Sequence, residues 1–97
     1  MFNIVQQTQT FSRWLAGLRD LRAKIAISRR IDRVQHGLMG DVKPVGEGVF
    51  EMRIDHGPGY RVYFMTQQGQ ILILLAGGDK STQQADIQRA IKLSKEV

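Results

Sequence analysis

The 97-residue chain has no cysteine, and only two histidines, two prolines and one tryptophan. Without cysteine there is neither a disulfide framework nor a thiolate metal site. His36 and His56 stand far apart and outside any ligand-spaced cluster, so no metal and no other cofactor is expected. Long apolar runs are missing as well. The stretch "ILILLAGG" (residues 71–78) is far too short to cross a bilayer, and no basic segment followed by an apolar one opens the chain. The expectation is a cytoplasmic protein without a membrane partner. At 42% hydrophobic and 24% charged residues the composition is that of a globular chain, and the length suits one domain over residues 1–97.

What is present is a lopsided charge. Residues 13–33 hold seven basic side chains against Asp20 and Asp32, which accounts for the whole net charge of +5. Such a segment is an electrostatic footprint for a polyanion or an acidic protein partner. Its periodicity is helical. Phe11, Trp14, Leu15 and Leu18 recur at i, i+3, i+4 and i+7, with Thr8 or Thr10 as N-cap. A second helix is predicted from about Asp20 to His36, its apolar stripe formed by Ala23, Ile27, Ile31 and Val34 and its end marked by Gly37. On its opposite side Arg22, Arg29 and Arg33 fall within about 40° of one another by helical geometry. They form either a solvated helix face or a surface for RNA phosphates. Trp14 fits the apolar stripe of the first helix and is expected in the core; His36, in the last turn of the second, reads as structural.

A short first strand is expected at residues 2–5. After the helices, "GLMGDVKPVGEG" (residues 37–48) reads as a glycine-rich connection. Three strands follow at about 49–54, 60–67 and 70–76, joined by Gly57-Pro58-Gly59 and by a tight turn at Gln68-Gly69. A register pairing Phe50 with Phe64, Met52 with Val62 and Ile54 with Tyr60 sets apolar against apolar. Continued into the third strand, it pairs Phe64 with Ile73 and Val62 with Leu75, and brings Gly77 near Tyr60. The third strand is apolar on both faces and is therefore expected to be central and covered on both sides. Ser81 and Gln84 form a capping-box signature for a short C-terminal helix carrying Ile87, Ala90 and Ile91. The predicted order is β-α-α-β-β-β-α, an α+β fold with an antiparallel sheet packed against the helical hairpin.

That register sets Arg53 directly across from Arg61, although like charges opposite each other destabilise a sheet. Glu51 and Tyr63 share their face, and Lys80 leaves the sheet at the same end. Two readings are open. Glu51 simply neutralises a solvated patch, a contribution of about 0–1 kcal/mol; or two guanidiniums and an ammonium grip a phosphate, for which the planar fork of arginine is suited. Tyr63 on that face either stacks on a base or covers the sheet.

The stretches "GDVKPVGEGVFEMRIDHGPGYRVYF" and "LLAGGDKSTQQADIQRA" resemble the RelE/ParE toxin superfamily, within its phage-derived addiction module killer protein (HigB-like) branch. The resemblance spans nearly the whole chain, and the "E-x-R-I-D-x-G-P-G-Y-R-V-Y-F" hairpin and "GGDKS" are its most specific parts. It implies a toxin held by a cognate antitoxin, a helix-turn-helix DNA-binding protein through which alone the toxin meets DNA. RelE-like members are ribosome-dependent endoribonucleases that cut mRNA through attack of the 2′-OH on the adjacent phosphate, without a metal. By position, the resemblance implies phosphate-stabilising roles for Arg61, Arg53 and Lys80, and Glu51 as a carboxylate base. Because the whole net charge lies on the helical segment, ribosome or RNA contacts are expected of Arg22, Arg29 and Arg33, and of Tyr63 from its place on the functional face. One departure is plain: residues 81–97 hold neither the tyrosine nor the histidine–tyrosine pair that relatives carry there. The general acid would then be Lys80, His56 or a ribosomal group, or the enzyme would run without one. The alternative within the superfamily is a ParE-like poison of DNA gyrase, which shares the fold and is no nuclease.

Overall fold

The computed structural model describes residues 1–97. Strand β1 (Ile4–Gln7) leads into α1 (Gln9–Gly17) and α2 (Leu21–Gln35). Strands β2 (Val42–Gly46), β3 (Val49–Ile54), β4 (Tyr60–Gln67) and β5 (Ile71–Gly78) follow. A 3₁₀ turn (Lys80–Thr82) then opens α3 (Gln83–Ser94). The sheet order is β1-β5-β4-β3-β2. No helix is long and apolar enough to cross a membrane.

The helices begin where their caps dictate. Of the two threonines, Thr8 caps α1, its Oγ1 accepting from Phe11 N at 3.0 Å. Asp20 caps α2, its Oδ1 accepting from the backbone N–H of Arg22 and Ala23. Phe11, Ala23, Ile27 and Val34 are fully buried, and Ile31 and Trp14 pack partly buried against the same core.

Five cross-strand pairs between β3 and β4 match the sequence register, including Arg53 opposite Arg61. β5 lies inside the sheet as expected, with Leu72 and Leu74 on the helical-hairpin side and Ile73 and Leu75 on the α3 side. Four other expectations need correction. First, the glycine-rich connection contains a strand: β2 pairs antiparallel with β3 and closes through a Glu47-Gly48 turn with both residues at positive φ. Pro44 hides it in the sequence, because proline is tolerated in a sheet only at an edge, which is where β2 lies.

Second, the first strand lies at Ile4–Gln7 and runs parallel to β5, so the sheet is mixed; Phe2 is buried just ahead of it. Third, β5 is shifted against β4. Gln70 stays out of the ladder, its carbonyl accepting instead from Asn3 and Ile4, so Phe64 meets Leu74 rather than Ile73. A bulge at Leu75 adds one more residue, so Val62 meets Gly77 and Arg61 meets Gly78. Thr8 Oγ1 donates to the Leu75 carbonyl at 2.6 Å and so satisfies an acceptor of the bulged segment. A strand apolar on both faces leaves its register weakly specified by pattern.

Fourth, the capping box does not form. Asp79 takes the capping position of the 3₁₀ turn, accepting from Ser81 N at 2.8 Å and Ser81 Oγ at 2.5 Å, while Thr82 Oγ1 donates to Asp86. The Ser81 hydroxyl holds the Asp79 carboxyl below its usual range.

Candidate functional site: an arginine cleft built on a buried glutamate

Strand alternation sends Phe50, Met52, Ile54, Val62 and Phe64 toward the helical hairpin and the residues between them toward α3. Glu51, Arg53, Arg61 and Tyr63 therefore share the second face. Glu51 is the pivot. It is fully buried, and its Oε2 accepts from Tyr63 Oη at 3.1 Å and from Gln83 Nε2 at 2.9 Å. Its Oε1 accepts from Arg53 Nε at 3.1 Å and lies 3.9 Å from Lys43 Nζ; Arg61 Nε stands 3.7 Å from Oε2. Burial pushes the Glu51 carboxyl up, but the hydrogen bonds from Gln83, Arg53 and Tyr63, with the Lys43 charge, outweigh it and leave it below the usual carboxylate range. Burial, then the charge of Glu51, pushes the Tyr63 hydroxyl far above its ordinary range.

Arg61 is nearly buried and carries the least satisfied guanidinium of the face. Its Nη1 donates to the Gly59 carbonyl at 2.7 Å, while its buried Nε has no hydrogen-bond partner. A side chain begun at Gly59 would meet Arg61 Nη1 at 3.3 Å and Lys80 Cβ at 3.8 Å, so Lys80 starts beside this guanidinium. Gly78, opposite Arg61, has to be glycine for a similar reason: an added Cβ would lie 1.8 Å from Asp86 Oδ2. Asp86 thus fills the space over the end of β5.

A cleft of about 260 Å³ opens along Arg53, Gly59, Tyr60 and Arg61, with Asp41 and Asp55 on its wall. A second, of about 370 Å³, is lined by Arg29, Arg30 and Arg33 of α2 and shares Asp41, Arg53, Ile54 and Asp55 with the first. The two form one track from the helix arginines to Arg61. Arg22 lines neither and stays apart at the start of α2, exposed. Arg30 is committed elsewhere, donating to the carbonyls of Met39, Asp41 and Arg53.

The expectation for Tyr63 is corrected in one respect: its ring is wholly buried under α3 and offers no face to a base, so it covers the sheet. His56 sits 3.1 Å from Asp20 Oδ2 and stacks on Tyr60 with ring centroids 6.4 Å apart, which ties the Gly-Pro-Gly turn to the cap of α2. Three members of the site went unnoticed in the sequence. Lys43 follows from strand parity once β2 is recognised, since it faces Glu51 across the ladder. Gln83 and Asp86 lie on the first turn of α3, where they read only as helix-start residues.

The fold is that of the RelE toxins. It superposes on a free-state, doubly arginine-substituted mutant of the E. coli toxin RelE with a TM-score of 0.76. That match covers 95% of this chain and 97% of the other at 11% identity. A chain of the RelBE2 toxin–antitoxin complex from Mycobacterium tuberculosis matches with a TM-score of 0.64 at 19% identity, over 82% of this chain and all of that one. The chain itself belongs to the phage-derived Gp49-like family (DUF891), whose model matches residues 13–96. An uncharacterized protein of Haemophilus influenzae is 53% identical over 93 residues, covering 96% of this chain and 94% of that protein.

Proposed function

We propose that the protein is the toxin of a toxin–antitoxin pair and acts as a ribosome-dependent endoribonuclease on mRNA. The observation that carries this reading is the under-used Arg61 guanidinium, fixed by Gly59 and Glu51 in a cleft continuous with the arginines of α2. The ribose 2′-oxygen attacks the adjacent phosphorus and the bond to the 5′-oxygen breaks. The products are a 2′,3′-cyclic phosphate and a 5′-hydroxyl end. Arg61 and Arg53 hold the non-bridging oxygens as their charge grows, a form of electrostatic stabilisation that needs no metal. Lys80, exposed and starting beside Gly59, is in this reading the acid that protonates the leaving 5′-oxygen.

A carboxylate base has to reach the 2′-OH, and Glu51 is buried, fully engaged and of lowered proton affinity. Its part in this reading is therefore to position the two arginines, and the 2′-proton passes to a group on the ribosome or to solvent. Arg29 and Arg33 extend the grip to flanking phosphates or rRNA. The partner in restraint is an antitoxin. Its docking is favoured by Leu21 and Ile25, exposed at helical spacing on α2 beside Arg29 and Arg33, which suit a protein carrying apolar and acidic side chains.

The test is primer extension on a reporter mRNA in a reconstituted translation system, with wild-type protein or Arg61→Ala and with or without ribosomes. Cleavage that requires both ribosomes and Arg61 is the expected result. Intact mRNA in every lane, from a preparation that still arrests growth, would overturn it in favour of gyrase as target.

A further inference from the structure

A third basic concavity lies outside the arginine track. Between α1 and α3, at the end of β5, a groove of about 460 Å³ is lined by Thr10, Arg13, Trp14, Gly77 and Arg89. Trp14 is its one apolar side chain apart from the bare Gly77 backbone. The indole is seated against that backbone so closely that a Cβ on Gly77 would lie 2.1 Å from the ring, and so only glycine can occupy the position. Phe11 holds the ring on one side at 5.8 Å between centroids, and Tyr60 meets it edge-on at 6.2 Å. Trp14 is thus fixed, but only partly buried.

Two guanidiniums flank it. Arg13 is exposed and forms no ion pair, while Arg89 is 59% exposed with Asp86 at 4.0 Å as its carboxylate neighbour. The groove is adjacent to the arginine cleft. Gly77 pairs with Val62, one ladder step from the Arg61–Gly78 pair, a backbone separation of about 3.3 Å. Tyr60, which lines the arginine cleft, is one of the aromatic neighbours of Trp14. Trp14 lines the groove and Tyr60 the cleft, so this edge-on pair stands between the two.

We infer that this groove is a subsite for a nucleotide flanking the one gripped by Arg53 and Arg61, with its base on the Trp14 indole and its phosphate between Arg13 and Arg89. The inference rests on the ribonuclease reading. An aromatic surface beside two arginines matches single-stranded RNA, because every base has a π-face and every nucleotide a phosphate. An acidic peptide fits less well, since its side chains would find no second apolar surface in the groove.

Trp14 is the one tryptophan of the chain, so its emission reports on the groove alone. The protein is titrated at low salt with a 2′-O-methyl hexanucleotide, which binds but cannot be cut, while a dye-labelled copy is followed by anisotropy. Binding is expected to quench the indole. Arg13→Ala/Arg89→Ala, on the surface and neutral to folding, is expected to weaken binding about tenfold and to flatten the salt dependence by about 0.7 for each phosphate no longer gripped. Trp14→Phe, checked for folding by circular dichroism, is expected to weaken binding to a similar degree.

Anisotropy that rises without quenching, and equally in the double variant, would overturn the subsite and leave the ribonuclease reading intact. Absence of both signals would overturn the subsite, while the ribosome-dependent cleavage assay separately decides the reading it rests on. Equal quenching by poly-glutamate would assign the groove to an acidic protein partner instead, and would also overturn the proposal.

Discussion

The two faces of one sheet differ more than any two elements of the molecule. On the helical-hairpin side, Met52, Val62, Phe64, Leu72 and Leu74 make a dry core. On the other side, the residues between them alternate in role. Val49, Ile73, Leu75 and Ala76 pack under α3, while Glu51, Tyr63, Arg53 and Arg61 form a hydrogen-bonded ionic cluster toward one end. Because neighbouring strand residues point to opposite faces, a single hairpin serves packing and charge at once. The two faces also fail differently. The apolar face is stabilised by area, whereas the ionic face depends on the buried Glu51 carboxylate and the hydrogen bonds it accepts.

That contrast can be broken on either side. The largest effect is expected from Phe64→Ala, which empties the apolar face and should lower the unfolding free energy by about 3–5 kcal/mol in denaturant melts. Glu51→Gln should cost about 3 kcal/mol at neutral pH, because it leaves two arginines and Lys43 around an uncharged amide. Its pH signature is sharper. A carboxyl whose folded pKa is depressed contributes fully above its unfolded value, near 4.5, and the contribution disappears as pH falls through the folded value. Wild-type melting temperature should therefore drop more steeply below about pH 4.5 than that of Glu51→Gln. Parallel curves would remove Glu51 from its place as pivot.

Arg61→Ala sharpens the comparison from the functional side. Cleavage in the ribosome assay should fall by about 10²-fold or more, while a cooperative melt is retained. Unchanged cleavage would show that this face serves stability alone. The smallest effect belongs to Lys43→Ala, whose ammonium is half-exposed 3.9 Å from Glu51. A change within about 1 kcal/mol is expected, fading as salt is added.

The same contrast explains what the sequence made legible. The β3–β4 register was readable because each strand alternates apolar with polar, so a slip of one would turn Met52 into the ionic cluster and Arg53 into the apolar core. β5 carries no such alternation, and its shift by one residue and then two depended on Gln70 and on the bulge at Leu75. The facing arginines and Glu51 were accessible from parity alone. Lys43 was hidden with its proline-bearing edge strand. The burial of Tyr63 depends on where α3 lies, which strand alternation does not encode.

Arg30 carries a consequence of another kind. Its guanidinium joins α2 to the loop before β2 and to the end of β3 by three backbone carbonyls, those of Met39, Asp41 and Arg53. A carbonyl is the same whichever residue bears it. The brace therefore tolerates drift at positions 39, 41 and 53 but depends on arginine at 30. It also ties the helix directly to the end of the strand, so the interval between the helix cations and Arg53 is set by one side chain rather than by the length of the loop between them.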